Sequence, residues 1–273
     1  MSVLTHCLAS PVNLNPEHTI SRRLITGYVD CDDSQKKKLG QDFADASSFA
    51  DHASSMDNNQ AAFTHYFRTS GRGKTDDWKM AQEMWDVIHQ NNDPTNAPFK
   101  FSVRCAQASD TECQDRNSIS FAITDARPQN GDTPREIKIC PTFFTHDWTK
   151  QSTTSHPYKP NPTRREDSWC TPGARFRDFS VGGLVLLHEM THLDAVGKKA
   201  SYPVDHNGMH GTEDTDVGPR NDPVQQARNL AKLWQAGRQG ADDPEPYRNA
   251  ESLAASAFEW YVMELCKISV INN

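Results

Sequence analysis

The apolar run from Phe179 to Val196 carries His188, Glu189 and His192 in the order His-Glu-Met-Thr-His. On an α-helix, side chains four positions apart lie on one face, one turn above the other, so this run is expected to be helical, with both imidazoles pointing the same way. Two imidazoles so arranged can aim ring nitrogens at one cation, which makes His188 and His192 the expected ligands of a single catalytic Zn2+. Glu189 follows the first ligand on the side where an open coordination position holds a water, and it can take a proton as that water attacks a carbonyl. Zinc lowers the pKa of the water and polarises the carbonyl, so Glu189 suffices as catalytic base and no Ser, Cys or Thr nucleophile is required.

A zinc site of this kind needs a third protein ligand. The metzincin extension is excluded, because Ala195 stands where its glycine belongs and Lys198 where its third histidine belongs. Downstream, Asp205, His206, His210, Glu213, Asp214 and Asp216 crowd into a short loop with Gly208, Gly211 and Gly218. The plain alternative for that loop is a solvated acidic surface.

The rest of the chain sets the frame. Leu39, Phe43, Ala46, Ala50 and Ala53, then Trp78, Met80, Met84, Trp85 and Ile88, recur at helical steps, so a helical N-terminal lobe is expected over about 34–100. Ser70-Gly71-Arg72-Gly73-Lys74 lacks the Walker spacing and reads as a flexible turn. Phe99 to Val103, Ser118 to Thr124 and Glu136 to Ile139 alternate apolar and polar residues and predict a small antiparallel sheet within about 101–145. The Pro- and Ser-rich stretch from Gln151 to Gly173 reads as a long surface loop, and helices are expected over Phe179–Val196, Pro223–Gln239 and Tyr247–Lys267. Residues 1–30 read as an extended arm or processing remnant, and 31–273 as a single catalytic domain.

A formal net charge of -7 offers no basic field, so no nucleic-acid partner is expected. The longest apolar stretch, Val181 to Leu187, is far short of a membrane span, so no membrane partner is expected either, and the protein should be soluble. Seven cysteines lie dispersed with no C-x-x-C pair, which favours a disulfide framework formed outside the cytosol over reduced buried thiols. Met1 to Ser10 is too short and polar for a full signal peptide, so a secreted chain that has already lost its signal is expected.

Gly211-Thr212-Glu213-Asp214 resembles the G-T-x-D segment that supplies the third ligand, an aspartate, in the deuterolysin family of fungal aspzincin endopeptidases. Glu136 to Pro141 with Phe143-Phe144 is similar to the strand and cysteine before that family's active-site region. Asn249-Ala250-Glu251-Ser252, leading to Cys266, is similar to its C-terminal helix, and the resemblance spans roughly residues 30 to 270. It implies an α+β, zincin-like fold and peptide-bond hydrolysis in polypeptide substrates outside the cell by a monomer, with Asp214 as third ligand. It also implies disulfides Cys31–Cys105, Cys113–Cys140 and Cys170–Cys266, leaving Cys7 over. His206 and His210 stay open as third ligands, as do Glu251 and another carboxylate, with Glu251 the better candidate for orienting a metal-bound histidine. The family's oxyanion tyrosine is replaced by Val217, leaving Tyr202, Tyr247 and Tyr261 as candidates for its role. That departure makes a catalytically weak zinc-binding secreted protein the competing expectation; a cytosolic structural domain without metal is the other.

Overall fold

The computed structural model describes residues 25–90, 99–114, 120–127, 135–153, 175–219, 222–269 and 271. In chain order its elements are β1 (Ile25–Val29), α1 (Asp33–Ser54), α2 (Ala61–Thr64), α3 (Gly71–Gln90), β2 (Phe101–Cys105), β3 (Ala122–Thr124), β4 (Arg135–Ile139), α4 (Pro141–Thr145), α5 (Phe176–Phe179), α6 (Gly182–His192), α7 (Asp194–Lys199), α8 (Pro223–Gln235) and α9 (Ala250–Cys266). The class is α+β and helix-rich, with one small sheet ahead of the histidine-bearing helix.

The sheet is mixed rather than antiparallel, which corrects the sequence expectation. Its order is β1-β2-β4-β3, with β1–β2 and β2–β4 parallel and only β3–β4 antiparallel. Parallel neighbours need a long crossover, and the three helices α1 to α3 between β1 and β2 provide it. Alternation along a strand marks its faces but carries no information about the direction of its neighbour. Ile25–Val29, at the end of the expected arm, is an edge strand. Its single buried residue, Ile25, leaves no period-two signal. A disulfide between Cys31 and Cys105 staples the ends of β1 and β2, and Cys113–Cys140 closes the second expected bridge. Cys266 is also disulfide-bonded; Cys7 and Cys170 lie outside the described residues, as do residues 1–24 of the arm and 154–173 of the long loop.

Local chemistry sets the helix ends. At the start of α1, Asp32 and Gln35 exchange side-chain and backbone bonds of 2.8 and 2.9 Å, a capping box. The Ser70–Lys74 segment is a turn only at its start: Gly71 has φ +68 and opens α3. At the end of α8, Gly237 (φ +63) and the bond from Arg238 N to Leu233 O form a left-handed cap, stopping the helix short of Gln239. The helix expected over Phe179–Val196 is divided into α5, α6 and α7, because the backbone turns extended at Ser180 and Val181 (ψ 139 and 168) and again at Leu193 (ψ 120).

α6 is apolar nearly all round and accordingly lies inside, against α1, β3 and α9. Leu186, Leu187 and Met190 join Phe43 and Phe49 of α1 and Leu253 and Phe258 of α9 in one core. At its N-terminal end the approach to α1 is so close that a Cβ on Gly183 would sit 2.6 Å from the Cβ of Asp45. The C-terminal end of α6 is left as the part that reaches a solvent-accessible face.

Candidate metal centre

The last two turns of α6 bring Nε2 of His188 and Nε2 of His192 within 3.1 Å of each other. Oδ1 of Asp214 lies 3.2 Å from the first and 3.5 Å from the second. Donors sharing one tetrahedral zinc at about 2.0–2.1 Å stand about 3.3–3.4 Å apart, so these separations suit a common ion. The donor set, two imidazole nitrogens and a carboxylate oxygen, is one that zinc takes.

The far side of each ring is also engaged. Nδ1 of His192 meets the carbonyl of Thr212 at 2.9 Å, and Nδ1 of His188 meets Oε2 of Glu251 at 3.1 Å. A carbonyl only accepts, so the hydrogen sits on Nδ1 of His192 and its Nε2 lone pair is directed at the shared point. Burial opposes charge on both rings, yet Asp214, with Glu251 helping at His188, holds His188 well above the usual imidazole range and also raises His192. Asp214 is shifted the other way: loss of water works against its charge, but the two histidines outweigh that and hold it well below the ordinary carboxylate range.

Asp214 is placed by backbone. The Thr212 amide donates to Thr191 O at 3.1 Å and the two threonine hydroxyls meet at 2.8 Å, which fastens this strand of loop to α6. Its other side is fastened to the start of α9: Glu213 N donates to Arg248 O at 2.8 Å, and Ala250 N to Glu213 O at 2.9 Å. The approach of the loop to the end of α6 and to α7 requires bare backbone, since a Cβ on Gly211 would lie 2.1 Å from the His192 carbonyl oxygen and one on Gly197 only 1.9 Å from that of His210. The same strapping sets Glu251, in the first turn of α9, opposite His188.

Glu189 is buried, 7% exposed, and its Oε2 accepts a 2.7 Å hydrogen bond from the hydroxyl of Thr124. The remaining candidates fall elsewhere. His206 gathers with Asp205 and Glu213, and His210 Nδ1 pairs with the buried Asp194 at 3.1 Å, so neither shares the His188–His192–Asp214 group. The Tyr202 hydroxyl lies 3.0 and 3.2 Å from the backbone carbonyls of Met80 and Tyr247, Tyr247 is buried beside it, and Tyr261 packs edge-on against Phe49 and His52. Thr124 and Thr212 escape sequence reasoning, for their partners lie 65 and 20–21 residues away and no local spacing marks such a contact.

A solved structure, that of a zinc peptidase from Grifola frondosa, is similar over 83% of this chain and 96% of that one, with 14% identity and a TM-score of 0.45. No family model matches the chain, and no curated protein matches it. The chemistry of the centre therefore rests on its own residues.

Proposed function

We propose that the chain is a zinc-dependent metalloendopeptidase acting on extracellular polypeptides. In this reading His188, His192 and Asp214 hold one Zn2+, Glu189 is the catalytic base, and residues 31–273 form the catalytic domain. The observation that carries the proposal is the meeting of three donor atoms within 3.1–3.5 Å beside a buried carboxylate. Metal capture alone has no use for that carboxylate. The two described disulfides support an oxidising compartment. No described helix is long and apolar enough to cross a membrane.

Bound zinc supplies Lewis acidity, making a water acidic near neutral pH and polarising the scissile carbonyl. Glu189 takes the proton of the attacking water and passes it to the departing amide nitrogen, acting first as base and then as acid. Glu251 and the Thr212 carbonyl hold the imidazoles through their Nδ1 atoms. The Asp214 side chain, 67% exposed, marks the open side from which a peptide arrives. Val217 favours a second reading, a zinc-binding protein with little turnover, since it cannot donate a hydrogen bond to a developing oxyanion.

Zinc content and casein hydrolysis, measured together for the wild type and Glu189→Gln, separate the two readings. The proposal expects one zinc per chain in both proteins, with hydrolysis lowered by about 10²–10⁴-fold in the variant. Stoichiometric zinc without hydrolysis in either favours the second reading, and absence of stoichiometric zinc in the wild type removes both.

A further inference from the structure

We infer that Thr124 is a positioning residue for Glu189, fixing which carboxylate oxygen handles the proton; this rests on the peptidase reading above. Thr124 is the last residue of β3, in register with Ile137 of β4, and the next amide, Asp125 N, donates to Glu136 O at 2.9 Å. Its backbone is thus anchored to the sheet, and its β-branched side chain has few rotamers. The hydroxyl faces two acceptors of Glu189, Oε2 at 2.7 Å and the backbone carbonyl at 3.0 Å. A hydroxyl has one proton, and the shorter contact to the charged oxygen claims it.

Among the described residues the Glu189 carboxylate has no other hydrogen-bond donor. A glutamate on a helix otherwise has three side-chain torsions to settle, and here the sheet settles them. The consequence is specific to atoms. Oε2 accepts the Thr124 proton while Oε1 has no donor among the described residues, so Oε1 is the oxygen left to accept the proton of the water and return it. Thr124 touches no reacting atom and acts through Glu189.

Thr124→Val keeps the shape and removes the hydroxyl, whereas Thr124→Ser keeps the hydroxyl. On zinc-loaded protein, the valine variant is expected to retain stoichiometric zinc and a KM within about twofold of wild type while kcat falls by about 10–100-fold, as for a misplaced base. The serine variant is expected to lose no more than about threefold in kcat, because its hydroxyl still reaches Oε2. Crystal structures of the two variants are expected to show the Glu189 carboxylate displaced with valine and in place with serine. Equal loss in both variants, undiminished kcat with valine, or an unmoved carboxylate with valine overturns the inference. If the wild type hydrolyses no peptide, the peptidase reading fails by itself, and the crystal structures still decide whether Thr124 sets the carboxylate.

Discussion

His188 and Asp214 offer donor atoms 3.2 Å apart, yet they are held in opposite ways. The histidine side chain is 18% exposed, lies on a helix packed inside the core, and has its second nitrogen against Glu251. The aspartate side chain is 67% exposed, meets the protein through the two histidines, and is carried by a loop fastened mainly through the backbone of residues 211–213. Half of the centre is thus built by side chains on a rigid element and half by a strapped loop. The lesson is that equal contributions to a site can have unequal contributions to the fold, and the two can be separated by experiment.

The largest effect tests that separation. His188→Ala and Asp214→Ala are each expected to weaken zinc binding by on the order of 10³-fold in a competitive chelator titration, since each removes one of the three proposed ligands. Their metal-free proteins should differ. Asp214→Ala removes the carboxylate partner of both histidines but opens no gap in the core, so it should lower unfolding free energy by about 1 kcal/mol. His188→Ala opens a gap at a packed helix and strands Glu251, so it should cost clearly more. Equal destabilisation of the two metal-free variants would break the comparison.

The helix half has its own weak point at the opposite end of α6, where Gly183 sits on Asp45. Burial pushes the Asp45 carboxyl from 3.8 up to about 6, against the opposing pull of Thr153 hydrogen bonds and Lys38. A folded pKa above the unfolded one means that the fold holds the proton more tightly. Stability from this group is therefore complete below about pH 4 and is lost as pH rises through 6. The shift corresponds to a loss of up to about 3 kcal/mol. Asp45→Asn should flatten that part of the stability profile between pH 4 and 7, measured by denaturant unfolding of the metal-free protein. An unchanged slope would mean that Asp45 is ionised in the fold throughout this range.

The same division governs what could be read in advance. The convergence of His188 and His192, with Glu189 beside them, was legible as geometry because a helix turns local spacing into position, and the burial of α6 follows from its apolar surround. The class was legible for the same reason, since helical periodicity accumulates over long segments such as α1, α3 and α9. The direction of β1, β2 and β4 was not, because alternation along a strand is identical in parallel and antiparallel sheets. The break at Leu193 was hidden too, for it answers to backbone at Gly211, a contact across 19 residues of chain. Asp214 came into view only through a resemblance; nothing in the spacing of the acidic loop distinguishes it from Asp216 or Glu213.

Gly211→Ala probes the loop half directly. The added methyl would lie 2.1 Å from the His192 carbonyl oxygen, so either the strand lifts or α6 shifts at its end. Overpacking of this kind costs about 1–3 kcal/mol. If the strand lifts, Asp214 and the Thr212 carbonyl retreat together, and zinc binding should weaken alongside unfolding free energy. A variant that loses stability while keeping full zinc affinity would show that the loop can place Asp214 without this contact.

The smallest effect concerns the outer support of the helix half. His192 is oriented by the Thr212 carbonyl, which no side-chain substitution removes, whereas His188 is oriented by Glu251, which one substitution can alter. Glu251→Gln keeps an acceptor for Nδ1 and removes the charge, so zinc affinity should fall by about tenfold, near the lower end for the loss of an outer partner of a ligand. The metal-free fold should be little changed, because Gln fills the same space in the first turn of α9. If affinity does not move, the packing of α6 alone sets the His188 ring, and the helix half needs no support beyond the core. If it falls as far as in Asp214→Ala, the Glu251 charge is itself part of what retains the cation, beside that of Asp214.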